Sequence, residues 1–132
     1  MDQRTLELIL GEHAAWLEGR AGGRRASFVA ADLRKADFKG MDLREADFRD
    51  ADLSEADLSY ATLVRANLYS ATMVKADLSG ADMTEAELSN ADLRGANLTK
   101  TNLASADAWR TNFGGSTIDA AVLHKALSCK KP

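Results

Sequence analysis

Reactive side chains are scarce in this chain of 132 residues, which holds one cysteine and two histidines. A lone Cys129 excludes an intramolecular disulfide and suits a reducing compartment. No His and acid are arranged around it in sequence, and its place at the end of an expected helix disfavours a thiolate. There is no phosphate-cradling glycine loop, no zinc-ligand spacing and no nucleophile elbow. Long apolar runs are missing too. The opening stretch MDQRTLELILGEHAAWLEGR carries acidic residues and no extended apolar core, so it reads as neither a signal peptide nor a membrane span. Asn97-Leu98-Thr99 spells a glycosylation acceptor, but without a secretion signal the match is chance. These absences point to a non-enzyme without cofactor or metal, residing in the cytoplasm.

What fills the chain instead is a five-residue period. From Ala26 to Gly115 there are 18 units, among them ADLRK, ADFKG, MDLRE, ADFRD, ADLSE, ATLVR and ANLYS. Ala or Thr opens every unit except the one at Met41, and Leu, Phe or Met stands third in all but the one with Ala108. A helix turns about 100° per residue, so a period of five would rotate the apolar column by about 140° per repeat and leave no face to bury. A flat strand fails as well, because an odd period flips faces at every repeat. A chain that turns a corner every five residues satisfies the pattern. Four sides close a square coil of about 20 residues, with coils about 4.8 Å apart and the solenoid roughly 20–25 Å long.

In that register Phe28, Phe48, Leu68, Leu88 and Ala108 stack on one wall, and Leu33, Leu53, Met73, Leu93 and Phe113 on the next. Phe38, Leu58, Leu78 and Leu98 line the third, and Leu43, Leu63, Met83 and Leu103 the fourth. The first-position Ala also faces inward, where close packing leaves room for little beyond a methyl group. Gly40, Gly80, Gly95 and Gly115 fall at the fifth position, where a tight corner can require positive φ. Asp or Asn at the second position is expected to bond the neighbouring backbone.

The units resemble the pentapeptide-repeat family, whose consensus is A(D/N)LXX, over about two-thirds of the chain. The resemblance implies a right-handed quadrilateral β-helix. It also implies a family of mixed function, a minority of whose members bind DNA gyrase by imitating duplex DNA.

Three regions follow: a capping helix and Gly-rich turn over 1–25, the β-helix over 26–116, and a second helix over 117–132. Residues 3–20 place Leu6, Ile9, Leu10, His13, Trp16 and Leu17 at helical spacing, with Trp16 expected over the Phe28/Leu33 layer and His13 packed against a backbone partner. Gly19, Gly22 and Gly23 end that helix. Ser116 or Thr117 is expected to cap the second, whose apolar side is Ile118, Val122, Leu123, Ala126 and Leu127. It covers the last coil, pairs with its twin in a homodimer, or does both. The two histidines, His13 and His124, fall at opposite ends of the rod and share no site.

Asp37, Asp57 and Asp77 stack on one face about 5 Å apart, which could hold a cation or satisfy three corners of backbone. Residues 26–116 carry 15 acidic and 10 basic side chains, a net of −5, with the basic ones on all four walls. That sign excludes direct nucleic-acid binding. The alternative of a DNA mimic acting on gyrase or a topoisomerase needs rows of Asp to stand for phosphates, and the interspersed cations oppose it. Tyr60, Val64, Tyr69 and Val74 fall at outward positions in consecutive units, and Trp109 adds an outward aromatic further on. Aromatics are enriched in interface cores. The resulting expectation is a non-catalytic protein-binding module or scaffold using these five residues, its partner unidentified.

Overall fold

In the computed structural model, which describes residues 1–128, the main chain pairs each coil with the next at a constant offset of 20 residues. Ser27 bridges Asp47, Asp47 bridges Asn67, Asn67 bridges Glu87 and Glu87 bridges Asp107, all parallel. Three further columns start at Asp32, Asp37 and Asp42. We call the walls A, B, C and D in the order of their first units, which begin at Ala26, Ala31, Ala36 and Met41. The solenoid is a right-handed quadrilateral β-helix with a short helix at each end.

Each corner is a four-residue turn in which the first amide of a unit donates to the third carbonyl of the unit before, as Ala51 does to Phe48 at 3.0 Å. The fifth residue carries the bend. Its φ is positive in all 18 units, between 56° and 61° at the non-glycine residues and 67° to 69° at Gly40, Gly80, Gly95 and Gly115. Left-handed backbone costs an L-residue about 1–2 kcal/mol. The ladder bonds on either side of each corner, mostly 2.7–3.0 Å long, and the buried third-position side chain hold it there.

The lumen is filled as the period requires. Leu53, Leu58, Leu63, Leu68, Met73, Leu78, Met83, Leu88 and Leu93 are fully buried, and so are the first-position alanines from Ala46 to Ala96. Three phenylalanines pack the first coils. Phe28 stacks on Phe48 at 5.0 Å between centroids, and both meet Phe38 edge-on from the opposite wall. The departures from Ala have causes. Thr101 and Thr111 donate their hydroxyls to the carbonyls of Leu78 and Leu88, each at 2.7 Å, so the buried oxygen is satisfied. Met41 opens its unit on the first coil and packs against the core beside the capping helix.

Helix α1 spans Gln3–Leu17, with the Asp2 carboxylate accepting the Thr5 amide at 2.8 Å as its N-cap. Leu6, rather than Trp16, enters the core, with Ile9 and Leu10 against it. Trp16 instead stacks on His13 at 5.6 Å. Helix α2 spans Ala120–Ser128. The expected Ser116 or Thr117 cap is corrected: Thr117 still belongs to the ladder, bridging Asn97, and Asp119 is the cap, accepting the Ala121 amide at 2.9 Å. Asp119 reaches the second helical amide, whereas the Ser116 hydroxyl donates to the Phe113 carbonyl at 2.7 Å and the Thr117 main chain lies in the ladder. Ala126 is buried in the core and Val122 packs against it, whereas Leu127 faces solvent. Cys129 lies outside the described residues.

Candidate functional site

With the lumen filled, the chemistry available to this fold lies on its outer walls. The second-position side chains are already engaged. From Asp32 to Asn112, carboxylates and amides at that position accept the amide of the residue two further on, as Lys39 N–H does to Asp37 at 3.0 Å and Gly114 N–H to Asn112 at 2.9 Å. The Asp37, Asp57 and Asp77 column is built this way, with the Ser59 and Ser79 amides at 3.0 Å and the Ser79 hydroxyl at 2.6 Å. Hydrogen bonds from the Ser59 hydroxyl and amide hold Asp57 below the usual carboxylate range. Among the described residues, no group of three or more His, Cys, Asp or Glu is placed to hold a metal ion.

Where Arg follows at the fourth position, it forks back onto the same Asp. Arg34 grips Asp32, Arg44 grips Asp42, Arg49 grips Asp47 and Arg94 grips Asp92, each with Nη2 at 2.7 Å from Oδ2. The guanidinium hydrogen bonds lead in lowering Asp42, Asp47 and Asp92 below their ordinary value, against the opposing effect of burial. A second set of charges runs between coils. Lys35 faces Glu55 at 4.0 Å, and Arg65 meets Glu85 at 2.7 Å. The fifth-position columns alternate in sign, Lys35-Glu55-Lys75 on wall B and Glu45-Arg65-Glu85 on wall D. No wall carries a net charge beyond −2.

The five outward apolar residues are distributed unequally. Tyr60, Val64, Tyr69 and Val74 stand on walls C, D, A and B in turn, so no flat surface touches all four. Tyr60 is 66% exposed, yet its ring lies along the next coil: a Cβ at Gly80 would meet two of its ring carbons at 2.6 Å. Tyr69 is 42% exposed, while Val64, Val74 and Trp109 are half-buried. Tyr69 and Trp109 share a column on wall A, with buried Ser89 between them. This register is fixed by the Ser70 amide on the Ser89 carbonyl and the Asn90 amide on the Trp109 carbonyl, both at 3.0 Å. The Arg110 guanidinium lies 5.2 Å from the Trp109 ring centroid.

His13 is buried in the cap, its Nδ1 accepting the Ala26 amide at 2.9 Å. His124 is exposed on α2 at the other end. The Asp–Arg forks, the Tyr60–Gly80 contact and the alternating columns went unread in the sequence. Their signals were present as D-x-R within a unit and as opposite charges 20 residues apart. No helix among the described residues is long and apolar enough to cross a membrane.

The family described as pentapeptide repeats (8 copies) matches residues 24–59, 61–99 and 96–126. Among solved structures, the chain is similar to a pentapeptide repeat protein of the Arabidopsis thaliana thylakoid lumen, at 37% identity and a TM-score of 0.66 over 67% of this chain and 62% of that one. It is also similar to a pentapeptide repeat protein of the cyanobacterium Cyanothece, at 33% identity and a TM-score of 0.61 over 74% and 63% of the two chains. The chain thus spans less than two-thirds of the length of either. No curated protein matches it.

Proposed function

Because this chain belongs to the pentapeptide repeat family, we propose that it is a non-catalytic module whose outer walls bind another protein. The observation that carries this reading is the column on wall A, where Tyr69 and Trp109 stand about 10 Å apart, two coil spacings, across a small side chain. Coils that hold their own shape offer rigid aromatics at little entropic cost, which is what interface centres use. Tyr60, Val64 and Val74 extend the apolar surface onto the adjoining walls. The cytoplasm is the proposed compartment, on the single cysteine, although a lumenal relative carries the same fold.

The test is recovery of a partner from the source cell with the chain as bait. Tyr69→Ser with Trp109→Ser should unfold at the wild-type temperature yet recover less of whatever the wild type recovers. Equal recovery would remove the wall A reading.

Charge mimicry of DNA at gyrase or a topoisomerase stands second. Its support is the net of −5 over the solenoid; against it, four of the Asp are already gripped by Arg. Inhibition or protection of gyrase supercoiling by micromolar protein would reverse that order.

Two copies pairing through the C-terminal end is a further part of the proposal. The amides of Ala108, Arg110, Phe113 and Gly115 have no partner among the described residues, and Leu127 on α2 is 55% exposed. Light scattering of the full chain should show a dimer that Leu127→Glu dissociates.

A further inference from the structure

Wall A differs from the other three in what its outward columns carry. Its fourth positions run Val29, Arg49, Tyr69, Ser89 and Trp109 along the axis, so two aromatics share one straight line. Val64 and Val74 stand singly on walls D and B, and Tyr60 is laid over Gly80 on wall C. Two coil spacings put the Tyr69 and Trp109 main chains roughly 9.6 Å apart. Between them Ser89 is 1% exposed, so the wall offers no recess there for a third side chain.

The two flanks of this line differ in chemistry. On one side the second positions Asn67, Glu87 and Asp107 run parallel to it, while the earlier Asp47 carboxylate is gripped by Arg49. That flank therefore presents two carboxylates on adjacent coils. On the other side the fifth positions are Ser70, Asn90 and Arg110, carried on corner residues with φ between 56° and 60°. All three are hydrogen-bond donors. The Tyr69 hydroxyl, the Trp109 indole N–H and the Asn90 side-chain amide make no hydrogen bond among the described residues.

We infer that wall A takes a proline-rich segment of its partner in the polyproline II conformation. The segment lies along the solenoid axis, with one proline on Tyr69 and another, three residues further on, on Trp109. This rests on the protein-binding reading of wall A and names the partner's chemistry. Polyproline II turns once in three residues with a rise of about 3.1 Å each. Residues i and i+3 therefore stand about 9.3 Å apart on one side, and the two between them turn away from the wall. A strand puts same-side residues about 6.6 Å or about 13 Å apart, and neither matches. A helix returns after seven residues at about 10.5 Å but sets a side chain midway, where Ser89 leaves no room. Proline rings suit aromatic faces. Proline also has no N–H, so such a segment carries more acceptors than donors. Asn90, Arg110 and the two ring donors supply what its carbonyls lack. A basic residue beside the prolines is the complement of Glu87 and Asp107.

The probe is a synthetic nonapeptide with two prolines three residues apart, one arginine and alanine elsewhere, added to the isotope-labelled full chain. The Trp109 indole N–H resonance should move, while that of Trp16, stacked on His13 in the cap, should stay. Shifting one proline by a single residue, replacing either by alanine, or Tyr69→Ser in the protein should each weaken binding about tenfold or more. Glutamate for the peptide's arginine should weaken it about threefold, and less at high salt. A Trp109 resonance unmoved up to about 1 mM peptide, indifference to proline spacing, a glutamate peptide that binds as well, or a stronger response to an amphipathic helical peptide would each overturn the inference. Partner recovery then separates the two readings. If Tyr69→Ser with Trp109→Ser still recovers less partner, wall A binds a segment of another kind; if it recovers as much, wall A itself is set aside.

Discussion

The imidazole Nδ1 of His13 accepts the main-chain amide of Ala26 at 2.9 Å, tying the capping helix to the first residue of the first coil. Protonating that nitrogen breaks the bond. Burial holds the imidazole below its ordinary value, opposed by the Asp42 charge and the Arg44 main chain and reinforced by the Arg44 and Arg25 charges. The folded chain therefore binds fewer protons than the unfolded one once pH drops below about 6.5. Stability is full above that pH and declines as pH falls from there through the lowered native value. Urea unfolding across pH 5 to 8 should show this decline in the wild type and not in His13→Gln. His13→Ala leaves the Ala26 amide without its acceptor and should cost about 1–3 kcal/mol at neutral pH.

Gly80 combines a φ of 68° with the Tyr60 ring lying against it. Gly80→Ala should destabilise by about 1–2 kcal/mol from the backbone alone, with more from displacing the ring. In the double variant with Tyr60→Ser only the ring contribution should disappear, so the two changes should couple measurably in thermal unfolding. Strict additivity would show that the ring moves away at no cost.

Ser105 is an exposed fifth-position residue at a φ of 58°. Ser105→Gly removes left-handed strain of about 1–2 kcal/mol, which the added freedom of the unfolded chain offsets in part, so stability should rise by about 0.5–1 kcal/mol. Chemical denaturation decides it, and a loss of stability would mean that the corner is not strained.

Leu68 is fully buried in the middle of wall A. Leu68→Ala should cost about 2–5 kcal/mol by transfer and cavity. Ala66→Leu, at the corner beside it, should cost about 1–3 kcal/mol by overpacking. An Ala66→Leu variant as stable as the wild type would contradict a filled lumen.

The Asp–Arg forks set the acid limb. Asp42, Asp47 and Asp92 have lowered native values, so their contribution is present above about pH 4 and is lost as pH falls through those values. Arg49→Gln should move the acid-unfolding midpoint upward, because Asp47 then protonates sooner. An unmoved midpoint would assign no stability to that fork.

A strict period is legible because each column carries one physical demand. Leu53 and Leu93 must be inside together, and a shift of one residue would put both in water. The N-cap of α2 was less legible. Ser116, Thr117 and Asp119 all have capping side chains, and the bridge from Thr117 to Asn97 that removes one of them spans 20 residues. Trp16 is expected over the Phe28/Leu33 layer from its place on the apolar side of the helix. Leu6 holds that place because the helix axis, which periodicity leaves free, sets which turn meets the first coil.

The sequence by itself determined the four-sided coil, its lumen, its corners and the helix at each end, since these follow from the repetition of short local choices. The tertiary structure alone decided how the surface is spent. It turned second-position acids back onto amides and Arg, laid Tyr60 over Gly80, and aligned Tyr69 with Trp109. Those outcomes depend on contacts between coils and between helix and coil. There the distance along the chain is long, the distance in space is a few ångströms, and no local pattern records the match.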